Sequence, residues 1–410
     1  MNRVMMRTIA SVLAMLAVGC SAVFGGGANV VIVKPGASKS SMSLSGLTAA
    51  GSNAALFHKT LGNDLARSGY FTISPTANGT YQVSGSCTDA GGNLSVRCQV
   101  RDGSKSYLDK TYSEEGRKAR RLAHKVADEI LLAVKQVKGI ASTRIVMVGN
   151  VGGRKDLYIC DADGGSLVQL TRDGAPCISP RWSPDGNSIV YTSYRSGFPD
   201  VYVMDLNTYE WRRIANYPGL NTGGAFSPYG RNVAVILSKD GNPELYTMRA
   251  NGGRPNRLTA TPRIAEASPS WSPAGNEIVY VSNAARLPQL YITDLLGNQR
   301  RLGLLGSENV APDWGPAGIV RCSRREGRYG IYVYDMAKGR DTNVMAPKDD
   351  NLDSEDPSWA PDGRHIACTR TGGHHSDVYI LDYVTDGQGD APVRLTTAKG
   401  EWYSPSWSPK

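Results

Sequence analysis

Few side chains in this sequence stand in patterns that could do chemistry. His374, His375 and Asp377 bring two imidazoles and a carboxylate together, a set that could ligate a metal. Gly372 and Gly373 put them in a loop between strands, and no metal is expected there. Asp349, Asp350, Asp353, Glu355 and Asp356 form an acidic run that could hold Ca²⁺ or meet basic groups, and it reads more simply as a solvated loop. Gly-x-Ser-x-Gly and Gly-Lys phosphate-loop motifs are both missing, which argues against a hydrolase or a nucleotide-binding enzyme. Catalytic residues and cofactors are therefore expected to be none.

The cysteines speak to compartment instead. Arg3 and Arg7 precede the apolar run 8–19, too short to span a bilayer and ordered as a secretory signal, so residues 1–19 read as a signal peptide. Leu16-Ala17-Val18-Gly19-Cys20 resembles a bacterial lipobox. Two outcomes stay open: lipidation of Cys20 with membrane tethering, or ordinary cleavage near Ala22 to Gly27 with Cys20 discarded. Cys87 and Cys98 flank Gly91 to Leu94 symmetrically, and a turn at Gly92-Asn93 would set them opposite each other on a hairpin, where a disulfide could form. Cys160, Cys177, Cys322 and Cys368 read as buried small apolar residues.

The net charge of +9 is unevenly placed. Residues 20–143 hold 15 basic and 8 acidic side chains, whereas residues 144–410 hold 29 of each. The larger part is neutral with mixed signs, so no nucleic-acid partner is expected. The basic run Arg117-Lys118-Ala119-Arg120-Arg121 opens a predicted helix, where it opposes the helix dipole and mildly suggests a partner, while a solvated face is the simpler reading.

Positioning elements emerge from an internal repeat. An aromatic-x-Pro phrase recurs at Trp182, Phe226, Trp271, Trp314, Trp359 and Trp407, with steps of 44, 45, 43, 45 and 48 residues. A Tyr in an apolar alternation recurs between them, at Tyr158, Tyr202, Tyr246, Tyr291, Tyr332 and Tyr379. Each period parses into four short strands, as in Arg181–Ser183, Ser188–Ser193, Asp200–Asp205 and Trp211–Ala215, joined by Pro-Asp-Gly or Gly-rich turns. Four strands per repeat make a propeller blade, and six copies predict a six-bladed β-propeller over residues 144–410. The first period lacks its aromatic-x-Pro phrase, which reappears at Ser404–Pro409, so the C-terminal strand should complete the first blade and close the ring.

The preceding residues read as a flexible arm (20–28) and a small α/β domain (29–140). Its expected elements are a strand Asn29–Val33, a helix near Leu56–Ser68, strands Thr80–Thr88 and Leu94–Arg101, and a helix Glu114–Lys138. The overall class is mainly β, with this α/β domain in front.

From residue 28 onward the chain resembles the TolB family, the periplasmic propellers of the Tol-Pal envelope system. The resemblance is carried by Asn63-Asp64-Leu65-Ala66-Arg67-Ser68-Gly69-Tyr70-Phe71, by His124 with Ala127-Asp128-Glu129, by Lys138-Gly139-Ile140, by the repeats around Trp182, and by the terminal Ser406-Trp407-Ser408-Pro409. It implies a periplasmic, monomeric, non-enzymatic adaptor. One propeller face would bind the peptidoglycan-associated lipoprotein Pal, and the N-terminal segment would engage the inner-membrane protein TolA, supporting outer-membrane integrity and constriction at division. It also implies that loops just before the aromatic-x-Pro phrases, at the channel mouth, form the Pal face. Here these are Leu220, Asn221, Thr222 and Gly223, then Ala267 and Ser268, with Ser179, Asp356 and Ser404 at the matching repeat position. Leu220 and Ala267 stand where the family pattern has a His and a Thr, so the surface has drifted. The alternative is a stand-alone exported propeller that binds a small ligand or glycan in its channel.

Overall fold

The structure, a computed structural model, describes residues 39–345, 352–373, 375–383 and 391–410. The expected signal, arm, Cys20, the strand Asn29–Val33, Asp349, Asp350 and His374 lie outside them. Strand β1 (Ser40–Ala50) crosses through helix α1 (Ser52–Arg67) to the parallel strand β2 (Phe71–Ser74). Strand β3 (Tyr81–Ala90) is parallel to β1 on its other side and continues as an antiparallel meander into β4 (Asn93–Asp102) and β5 (Lys105–Glu115). Helix α2 (Ala119–Lys135) lies beside α1. Alternation in β3 and β4 turns Val83, Cys87, Leu94, Val96, Cys98 and Val100 into one core with Phe57, Leu61 and Leu65 of α1 and Leu122, Val126 and Ile130 of α2.

Two sequence expectations need correction here. The second helix begins at Ala119 and not at Glu114, because Glu114 and Glu115 pair with Leu94 and Asn93 as the end of β5, and Gly116–Lys118 form a 3₁₀ turn. The cysteine hairpin turns one residue earlier than expected, at Gly91-Gly92, both with positive φ (59° and 80°) and closed by the pair Ala90 and Asn93. Cys87 therefore faces Val96 and Cys98 faces Gly85; both thiols are free, and burial pushes them up to about 11 and about 12 respectively.

Residues from Arg144 onward form six four-stranded sheets, the blades. Blade 1 combines Arg144–Val151, Arg154–Asp161 and Val168–Gln169 with the C-terminal strand Glu401–Trp407, which pairs antiparallel with the first of them (Tyr403 with Val148, Trp407 with Ile145). Blades 2 to 6 open with inner strands Cys177–Trp182, Asn221–Phe226, Glu266–Trp271, Glu308–Gly315 and Asp353–Trp359. The Ser-Pro-Asp-Gly segment after Trp182 is a β-turn closed by Gly186 N–H to Ser183 O (3.0 Å), with Gly186 at φ 70°. The motif aromatics seal the blade interfaces. The indole N–H of Trp182 donates to Ser406 O, that of Trp271 to Ala225 O and that of Trp359 to Gly318 O, each on the preceding blade at 3.0 to 3.1 Å.

The α/β domain sits on the aromatic-x-Pro side of the ring, against blades 1 and 6. Arg120 grips Asp163 (2.6 and 2.7 Å), Arg67 donates to Asp163 O (2.8 Å), and Arg364 of blade 6 donates to Gly69 O (2.9 Å) while stacking on Tyr70. The basic start of α2 thus finds its partner within the same chain. Buried His124 bonds Asp64 (2.7 Å) and faces Asp161 of blade 1 (3.6 Å). Burial alone would favour the neutral ring, but the neighbouring carboxylates of Asp161 and Asp64 outweigh it and raise the pKa to about 9. Stabilisation from this group is therefore complete below the ordinary value of 6.5 and is lost as pH rises through about 9. Urea unfolding should show up to about 3 kcal/mol lost between pH 6.5 and 9.5, and His124→Gln should remove that slope.

Candidate functional site: the propeller channel and its free face

Every inner strand carries the same irregularity. Its register against the second strand slips at Ser179-Pro180, Gly223-Gly224, Ser268-Pro269, Ala311-Pro312, Asp356-Pro357 and Ser404-Pro405. The first residue of each pair has positive φ (53°, 69°, 48°, 47°, 48° and 50°), unusual for five non-glycine residues, each followed by proline. Each such residue costs on the order of 1 kcal/mol, and the bulge turns the proline, which has no N–H, out of the ladder. The pre-aromatic segments are thus strands with bulges and not the loops expected.

These six positions meet on the ring axis. Ser179, Gly223, Ser268, Asp356 and Ser404 line one cavity of about 80 Å³, together with Ala311, Pro180, Arg181, Gly224, Pro269 and Pro405. Ala311 was legible from the spacing, as the third residue before Trp314. Other expected contact residues lie elsewhere. Leu220 is half-buried in the connection before blade 3, its N–H held by Ser238 Oγ (2.7 Å). Thr222 shares a hydroxyl contact with Thr192 (3.0 Å), and Ala267 packs into the core between blades 4 and 5.

Asn221 requires a correction as a contact residue. It is fully buried, and its amide accepts from Tyr217 N–H (2.8 Å) and donates to Tyr217 O (2.8 Å), closing the connection that leads into its strand.

Arg181 of blade 2 reaches across the axis to Asp313 of blade 5, at 3.9 Å. Asp313 also accepts from the Trp359 backbone N–H (2.8 Å) and from Ser270 Oγ (3.4 Å), so one carboxylate ties blades 2, 4, 5 and 6 together. The same hand-off recurs around the ring, from Trp314 N–H to Ser270 Oγ and from Trp407 N–H to Ser358 Oγ, both at 3.0 Å. Above the pair, on the aromatic-x-Pro side, lies a wider funnel of about 300 Å³. Asp356 accepts from Ser404 Oγ (2.8 Å) on the next blade. His375 Nε2 and Asp377 lie 2.8 Å apart, with Arg394 also on Asp377 (2.8 Å), a structural ion pair at the blade 6 edge. Asp313→Ala would leave the Trp359 N–H unmet and Arg181 unpaired. We expect a loss of about 2–4 kcal/mol in urea unfolding, against about 1–2 kcal/mol for Ser270→Ala, which leaves the Trp314 N–H unmet but no charge unpaired.

The comparisons with known proteins agree with this architecture. Residues 133–410 match a family model described as the TolB beta propeller domain. The Tol-Pal system protein TolB of Bordetella pertussis is 30% identical over 324 residues, covering 78% of this chain and 72% of that protein. Its counterpart from Bordetella bronchiseptica is equally similar, with 71% of its length covered. The crystal structure of TolB from Acinetobacter baumannii superposes with a TM-score of 0.79 at 25% identity, covering 92% of this chain and 98% of that one. A six-bladed ring closed by its last strand, an α/β domain docked on it and these matches lead to one conclusion: the chain belongs to the TolB family of Tol-Pal system propeller proteins.

Proposed function

We propose that this chain is a non-enzymatic periplasmic adaptor of the Tol-Pal system, supporting outer-membrane integrity and envelope constriction at division. Its propeller binds a Pal-like peptidoglycan-associated lipoprotein, and its N-terminal segment engages a TolA-like inner-membrane protein. The observation that carries the reading is the free face. The α/β domain occupies the aromatic-x-Pro side of the ring, which leaves the opposite side, where the inner strands begin, open to a partner. That side leads to the ring of six bulges, five of them strained, and strain kept at the equivalent position of five blades supports a surface held for use.

The reading as a stand-alone binder of a glycan has less support. The cavity at the bulges is about 80 Å³, and Arg181, paired with Asp313, stands between it and the funnel. Typical small-ligand pockets run from about 300 to 1,000 Å³.

Titration calorimetry with the soluble domain of a Pal-like lipoprotein tests the adaptor reading. Leu220→Asp and Ser268→Arg should each weaken binding at least about tenfold, or about 1.4 kcal/mol. Leu296→Arg, an exposed turn on the opposite side of blade 4, should leave it unchanged. No binding by the unaltered chain, or equal losses in all three variants, would contradict the reading.

A further inference from the structure

Glu266 opens the inner strand of blade 4, directly before Ala267 and Ser268, and is 2% exposed. Its Oε1 accepts from Thr261 Oγ1 (2.9 Å), while its Oε2 has no hydrogen-bond partner. Thr261 lies in the connection from blade 3 and also touches Oε2 of the fully buried Glu244 (3.1 Å). A threonine hydroxyl has a single proton and can donate to one carboxylate only. With both acids ionised, one of these two contacts is a repulsion between lone pairs.

A proton on one carboxyl removes the conflict, and the surroundings decide which one. Glu244 accepts from Arg257 (3.0 Å), from Asn242 (2.9 Å) and from the Thr261 backbone N–H (2.6 Å), which together hold it charged. Glu266 has no such support. Facing it are Glu244 from blade 3, the hydroxyl of Ser282 and the phenols of Tyr280 and Tyr291, with Arg301 beyond Tyr291 and Arg257 already engaged by Glu244. Two other blades, 3 and 5, offer a comparison at the same position, the fifth before the aromatic. There Asn221 and Asn309 supply neutral amides with both ends satisfied, Asn309 accepting from Arg321 (2.7 Å) and donating to Gln289 (3.0 Å).

We propose that Glu266 is held protonated in the folded chain and donates to Thr261, which donates on to Glu244, so that loss of this proton releases the 259–265 connection and deforms the partner face at Ser268. The inference rests on the adaptor reading for its consequence, though not for the proton itself. Burial, the largest influence, together with Glu244 raises the Glu266 carboxyl from 4.5 to about 7, with the hydroxyls of Thr261 and Ser282 pulling the other way. A carboxyl raised in this way stabilises the fold fully below 4.5, and that contribution is lost as pH climbs through about 7. The switch would therefore work within the range that an envelope compartment open to its surroundings experiences.

Two measurements on the full chain and its Glu266→Gln variant test this. Gln keeps a donor toward Thr261 but cannot titrate. In urea unfolding from pH 4.5 to 8.5, the wild type should lose stability relative to the variant, and taking that difference cancels the contribution of His124. Between pH 6 and 8.5, affinity for the soluble domain of a Pal-like lipoprotein should fall several-fold in the wild type, with a ceiling of about 30-fold if only the protonated form binds, and stay flat in the variant. Parallel stability curves for the two proteins, or affinities whose ratio does not change with pH, would overturn the proposal. Absence of lipoprotein binding at every pH would instead strike the adaptor reading, since the unfolding difference is measured on the chain alone.

Discussion

The pairing of Glu401–Trp407 with Arg144–Val151 is the constraint on which the rest of the molecule depends. A four-stranded blade has two apolar faces and cannot cover both by itself, so each blade is stable only between neighbours, and the two end blades need each other. The last strand solves this by supplying the inner edge of the first blade. Ser408 and Arg144 reinforce the closure with reciprocal bonds, Arg144 N–H to Ser408 Oγ and Ser408 N–H to Arg144 O, both 2.8 Å. Trp407 then donates to Thr143 at the join between the two parts of the chain (2.7 Å). Closure of the ring and docking of the α/β domain therefore share one corner of the structure.

Closure also fixes the axis. Only in a complete ring do the six bulges converge and can Arg181 meet Asp313 from the opposite blade. The backbone conformations at Ser179, Ser268, Ala311, Asp356 and Ser404 would relax if any blade could shift outward. Held by the hand-offs through Ser270, Asp313 and Ser358, they give the open face a fixed shape. The ionic junction of Arg120, His124, Asp161 and Asp163 occupies the other side, so the domain junction and the bulge ring lie on separate faces of a common frame.

Much of this was legible because the repeat demands the same residues at the same turns. The strands Ser188–Ser193, Asp200–Asp205 and Trp211–Ala215 lie where alternation and turn residues put them, and the terminal aromatic-x-Pro phrase announced the closure. Features that depend on distant parts of the chain were hidden. Strand β1 is made largely of Ser, Ala, Gly and Leu, with little β-branched character, and yet it is an interior strand of its sheet, paired with β2 and β3. The cysteine register turned on which of two adjacent dipeptides forms the turn, and Gly91-Gly92 takes positive φ at lower cost than Gly92-Asn93. Spacing placed Asn221 at its ring position but could not tell that Tyr217 folds the amide inward. Neither the Arg181–Asp313 pair nor the shared hydroxyl of Thr261 has any local signal, since each joins separate repeats.

Amide hydrogen exchange across the closing strand pair tests the central claim most directly. If the ring is held shut by this pairing, the amides of Val146 and Val148, together with those of Tyr403 and Ser408, exchange only through global unfolding, with the same free energy and denaturant dependence as Val233 and Val235 in the middle of blade 3. Exchange of the closing pair through a separate opening, several kcal/mol lower than that of blade 3, would contradict it.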